Sequence, residues 1–209
     1  MNKKSEQIKN LNTIELLSLI SAAAVMRKYD FLKLLMKESA LRKIRTEKIY
    51  EALLQTYLFA GFPSALNSLK IFKENFPEFI SKNKPISDVY SAGAKTCKKI
   101  YGNKFEKLKS NINSFSPEMA EWFISEGYGK VLSRKNLSLK ERELCIVSIL
   151  SVLKFDSQLF SHINGACRQK AGISEIEKII SNLDLLPAKS ASKFGMMVLE
   201  SYKQKINAR

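Results

Sequence analysis

The stretches IELLSLISAAAVMRKYDFLKLL (14–35) and RELCIVSILSVLKFDSQLFSH (142–162) lay out one pattern twice: an apolar run, a polar turn around an aspartate, and a second apolar run. Self-similarity of this kind restricts the chain to architectures that can hold two copies of one supersecondary unit. Glu15 falls opposite Glu143 at an offset of 128 and Asp30 opposite Asp156 at an offset of 126, so the match carries a small gap. Apolar residues recur at intervals of three and four, and only eight glycines and five prolines punctuate the chain. That periodicity belongs to helices, and no segment alternates as a strand does. The expected fold class is all-α.

Local chemistry marks the helix ends. SLKE (138–141) and SEIE (174–177) have the form of capping boxes, in which Ser138 and Ser174 accept from orphan amides and Glu141 and Glu177 reach back. In SPEM (116–119), Ser116 is a cap and Pro117 occupies a position that needs no donor. Gly61 ends one helix in a left-handed conformation and Pro63 begins the next. Helices are therefore expected near 12–27, 30–43, 46–60, 63–75, 86–101, 103–112, 116–128, 139–154, 156–170, 174–183 and 187–205. Repeat 1 is read at 11–76, a helical linker region at 77–136 and repeat 2 at 137–203.

The opening MNKKSEQIKNLNTIELLSLISAAAVM has the lysines and apolar run of a secretory signal, but Glu15 interrupts it and the segment recurs later, so it reads as a domain helix. No stretch reaches the ~18 apolar residues that cross a bilayer, so no membrane partner is expected. The three cysteines, Cys97, Cys145 and Cys167, have no paired spacing, and one histidine cannot build a zinc cluster, so no metal and no cofactor is expected. A reducing, cytoplasmic setting fits this usage. A net charge of +15 invites nucleic acid. Lysine far outnumbers arginine, however, and the excess is spread at helical surface spacing, whereas phosphate and base recognition favours arginine. No nucleic-acid partner is expected.

Chemistry concentrates on two residues. Glu143 lies on the stripe of its helix that carries Ile146, Val147, Leu150 and Leu153, which puts a carboxylate on the side facing the core. Such a group either serves proton transfer or answers the helix dipole in company with Arg142. His162, the only histidine, shares a face with Gln158, Leu159, Gly165 and Ala166, with Asp156 as the expected cap of its helix. An imidazole there passes protons in either direction near neutral pH, or simply packs. The two stand 19 positions apart on consecutive helices joined by a tight turn, a spacing that can bring both to one cleft.

RELCIVSIL…QLFSHINGA and EALLQTYLFAGFPSALNSLK resemble the two signature segments of the carboxymuconolactone decarboxylase family, which shares its helical fold with the alkylhydroperoxidase D proteins; EGYGKVLSR (126–134) resembles the lead-in of two-repeat members. The likeness covers most of residues 11–203. It implies an alkylhydroperoxidase D-like fold and a lyase-type reaction on a small carboxylated, lactone-like substrate. His162 would deliver the proton and Glu143 would orient it, with Gln158 binding substrate and Arg142 and Arg134 either binding its anion or simply forming surface ion pairs. It also implies a homo-oligomer, whether dimer, trimer or hexamer. The peroxidase branch needs a CxxC before the histidine, and Phe155 and Gln158 stand there instead, so peroxidase chemistry is the weaker alternative beside a non-catalytic binding protein. HINGACRQKAGIS is two residues longer than the family pattern, which is expected to reshape the pocket wall. Repeat 1 has Leu34, Leu35 and Met36 near the place of the histidine, so one relay per chain is expected.

Overall fold

The computed structural model describes residues 3–83 and 85–208; Met1 and Asn2 of the lysine-led opening lie outside them. The described residues are all-helical, with no strand among them. The α-helices are α1 (Lys3–Lys9), α2 (Thr13–Val25), α3 (Tyr29–Leu41), α4 (Thr46–Leu54), α5 (Tyr57–Asn75), α6 (Val89–Tyr101), α7 (Phe105–Asn113), α8 (Pro117–Trp122), α9 (Leu139–Leu153), α10 (Asp156–Arg168), α11 (Ile173–Ser181) and α12 (Lys193–Asn207). A π-helix spans Phe123–Leu132, and short 3-10 turns lie at Gly102–Lys104 and Asn182–Leu185.

The helices α2 and α9 form the centre. Every residue from Glu15 to Val25 and from Arg142 to Ser151 is buried, so these helices are enclosed on all sides rather than along one stripe. Small side chains (Ala22, Ala23, Ala24) let neighbours approach α2, and each fully buried leucine or isoleucine contributes about 1.5–3 kcal/mol. α2 packs on α3, α4 and α5, α9 packs on α10, α11 and α12, and the two central helices pack on each other. The apolar run of the signal-like stretch, as α2, is thus the middle of the core.

The caps fix how the two halves correspond. Asn12 and Glu15 form a capping box on α2, as Ser138 and Glu141 do on α9. The offset is 126 at both ends of the box, the same as between Asp30 and Asp156, and no gap is needed. Glu15 therefore matches Glu141 rather than Glu143, and Glu143 and His162 fall opposite Leu17 and Met36, both buried and apolar. Two further expectations are corrected. α11 starts after Gly172 without a side-chain cap, so Ser174 sits inside the first turn, and Phe155 rather than Asp156 occupies the cap of α10. Ser116 and Pro117 open α8 as expected. Gly61 breaks α5 at φ 72°, ψ 171°, a positive φ but with an extended ψ open essentially to glycine alone.

The region read as a linker is a wall. α6 and the π-helix touch backbone to backbone: a Cβ on Gly93 would run into the Ile124 carbonyl, and one on Gly129 into that of Val89. Only glycine permits that approach. The expected helix at 116–128 changes winding after Trp122, with the Ser133 amide reaching the Tyr128 carbonyl five residues back at 2.9 Å. The wider turn brings Phe123, Gly127, Tyr128 and Leu132 to one side.

Candidate functional site

α9 and α10 are consecutive and antiparallel around the turn at Lys154, whose φ of 61° ends α9 in the left-handed region. Their pairing brings Glu143 and His162 together. Nδ1 of His162 lies 2.9 Å from Oε2 of Glu143, and the two residues are 7% and 0% exposed. Where Oε2 accepts, Nδ1 is the donor of this bond, which leaves Nε2 as the ring nitrogen not engaged with Glu143. Gly165, one turn along α10, makes the arrangement possible, because a Cβ there would overlap Oε2. Oε1 of Glu143 is buried with no hydrogen-bond partner among the described residues. Leaving such an oxygen unpaired costs about 1–3 kcal/mol, a cost that packing alone gives no reason to carry.

His162 lines a cavity of about 440 Å³. One wall is the broken start of α5, with Tyr57, Phe59 and Phe62; the Phe59 ring meets the imidazole edge-on at 6.4 Å between centroids. The other wall is the end of α8 and the π-helix, with Trp122, Phe123, Glu126 and Tyr128. Tyr57 donates to Glu126, which also pairs with Lys130 at 2.7 Å. Lys130 first and Tyr57 second hold the Glu126 carboxyl below its usual range. Burial pushes the phenols of Tyr101 and Tyr128 up, and the nearby Glu143 charge pushes them further, so both stay protonated; their hydroxyls are 2.6 Å apart. A groove of about 790 Å³ beside the start of α9 is larger, but its lining of Arg42, Lys43, Arg45, Lys48 and Lys140 includes no histidine.

The other expected site residues go elsewhere. Arg142 is fully buried and bonds Oε2 of Glu51 at 2.8 Å and Oε1 of Gln55 at 3.3 Å. Arg134 grips the same carboxylate from Nε at 3.0 Å and from its terminal nitrogen at 2.8 Å, and Asn83 adds a bond at 2.8 Å. Burial pulls the Arg142 guanidinium down from its ordinary value while Glu51 opposes the shift. Both arginines are thus held by a buried carboxylate of α4 and line no part of the His162 cavity. Gln158 is exposed on the outside of α10. The longer segment after His162 does not shape the pocket either; Gln169 within it donates to the Lys99 carbonyl at the end of α6.

The aromatic wall at 119–132 was not singled out by spacing, although Trp122 and Glu126 stand four apart on one face. What hid its full extent is the change of winding, since 3.6-residue periodicity keeps Met119, Trp122, Phe123, Glu126 and Gly127 on one face but turns Tyr128 and Leu132 away from it. Burial pushes the thiols up, Cys97 to about 12 and Cys145 to about 11, and Cys167 moves the same way. None is primed as a thiolate. Alkylation by iodoacetamide at pH 7.5 is expected to be slow for Cys97 and Cys145 in the folded chain and fast once it is unfolded, read by mass spectrometry. Among the described residues, no group of three or more histidine, cysteine, aspartate or glutamate side chains gathers as a metal would need. No helix among them is long and apolar enough to cross a membrane.

No family model matches the chain. Over 130 residues the chain is 30% identical to Peroxisomal protein 2 of Schizosaccharomyces pombe, an overlap of 59% of this chain and 61% of that protein. The chain thus spans about three-fifths of the length of that curated relative.

Proposed function

We propose that the chain is an acid/base enzyme of the carboxymuconolactone decarboxylase type, a lyase that moves a proton to or from carbon through Glu143 and His162. The observation that supports it is the 2.9 Å contact of a wholly buried carboxylate with the one imidazole that lines the aromatic cavity. Glu143 holds the ring in the tautomer that presents Nε2 to the ligand, and Nε2 takes the proton from, or as imidazolium returns it to, a carbon beside a carbonyl. Tyr128 lines the same cavity with its hydroxyl 2.6 Å from that of Tyr101; with Tyr101 donating to it, Tyr128 turns its own hydrogen to the enolate oxygen. Homo-oligomeric assembly belongs to the same proposal and is read by sedimentation velocity. The compartment is proposed as a reducing one, cytoplasm or peroxisome, the latter on the name of the relative.

The test is deuterium uptake from heavy water into 1-phenylpropan-2-one, followed by loss of its benzylic proton signal. The chain is expected to accelerate exchange over buffer. Glu143→Gln is expected to slow it about tenfold or more, because an amide no longer enforces one tautomer of the ring. Exchange no faster than in buffer retires the proposal.

A further inference from the structure

The His162 cavity is poorly suited to a ligand with two negative charges. Its lining includes no arginine or lysine. Arg134 and Arg142 are held by Glu51, and the Lys130 ammonium is drawn onto Glu126. Glu126 itself lies on the wall and is charged at neutral pH, since its carboxyl is held below the ordinary range. A second carboxylate on a ligand meets aromatic rings and the Glu126 carboxylate, and it competes with Glu126 for the Lys130 ammonium. At the mouth, Phe62, Met119 and Trp122 are 65%, 50% and 58% exposed, so the apolar lining continues outward from the cavity to the surface.

We propose that this site takes a monocarboxylic 3-oxo acid with an apolar or aromatic body and turns dicarboxylates away. The proposal rests on the proton-relay reading above. In the step, the bond between Cα and the carboxylate breaks and CO2 leaves. Its electron pair becomes the carbon–carbon double bond of an enolate, with the charge on the ketone oxygen beside the Tyr128 hydroxyl. His162, as imidazolium, gives its Nε2 proton to Cα; the new C–H bond forms, the C=O bond is restored, and the ring recovers a proton from solvent. One acid anion and one proton become one ketone and one CO2. The aromatic cavity favours this step because it withdraws water from a concentrated carboxylate charge that the transition state disperses. A second carboxylate is not consumed and loses its hydration without a cation in return.

Trp122, the only tryptophan in the chain, stands on the cavity wall and reports binding through its fluorescence. The probes are 3-phenylbutanoate and phenylsuccinate, which differ by a methyl in place of the second carboxylate. The intact chain is expected to give a saturable change with 3-phenylbutanoate and to bind phenylsuccinate about tenfold more weakly or worse. Glu126→Gln is expected to narrow that gap, mainly by strengthening phenylsuccinate. Equal or tighter binding of phenylsuccinate by the unaltered chain overturns the proposal, as does a gap that Glu126→Gln leaves unchanged. CO2 release from benzoylacetate, measured on the same preparation, reads the relay separately. Selective binding without release above buffer retires the lyase reading and leaves the ligand class standing.

Discussion

Replacing Glu51 by alanine is expected to remove about 3–5 kcal/mol of stability, the cost of breaking a buried ion pair from one side. Folded domains are stable by only about 5–15 kcal/mol, so the loss takes a large share of the total. The reason lies in what remains. Arg142 is wholly buried and its other side-chain bond is a 3.3 Å contact to Gln55, while one of its terminal nitrogens also reaches the Arg134 carbonyl. Its Nε already lacks a partner among the described residues. Without Glu51, two guanidinium groups face each other with no anion between them. Glu51→Gln keeps the shape and one acceptor and is expected to cost less than the alanine variant. Urea unfolding reads the difference as a shift in midpoint at constant slope. A shift worth less than about 1 kcal/mol for alanine means that water reaches the arginines and the network is not a buried one.

The second large effect is on chemistry. His162→Ala is expected to lower the rate of deuterium exchange by about 100-fold or more, the usual contribution of a positioned general acid or base. Alanine also strips Glu143 of the only hydrogen-bonded side-chain partner it has among the described residues, which adds a loss of stability of about 1–3 kcal/mol. His162→Asn separates the two, because its amide can still donate towards Oε2 but cannot carry a proton to carbon. Both variants are expected to lose exchange, and only alanine to lose stability. An asparagine variant that exchanges as fast as the unaltered chain removes the imidazole from the mechanism.

These two predictions draw on residues that the sequence treated very differently. Glu143 and His162 were legible because each sits on a strongly periodic helix and the helices are consecutive; 19 positions and one tight turn leave few alternatives. Glu51 was legible only as part of an apolar-patterned helix. Nothing in its neighbourhood tells that its partners lie 91 and 83 positions away, at Arg142 and Arg134. For the same reason the two arginines read as anion ligands or surface ion pairs, not as two holds on one buried carboxylate. The gapped match of Glu15 to Glu143 failed for a related cause: the carboxylates look alike in sequence, and only the capping geometry shows that Glu15 plays the part of Glu141.

The sequence by itself determined that this chain is helical, where most of its helices begin and end, and that one carboxylate and one imidazole stand on adjoining helices. Those are consequences of short-range physics: periodic burial, caps, and the conformational limits of glycine and proline. The tertiary structure decided what each polar side chain meets, and it made a pocket wall of a segment that reads as a connector. Hydrogen bonding and charge pairing act through space at about 3 Å, and the residues that come within that distance are chosen by how helices pack, through contacts such as Gly165 against Glu143 and Gly93 against the π-helix.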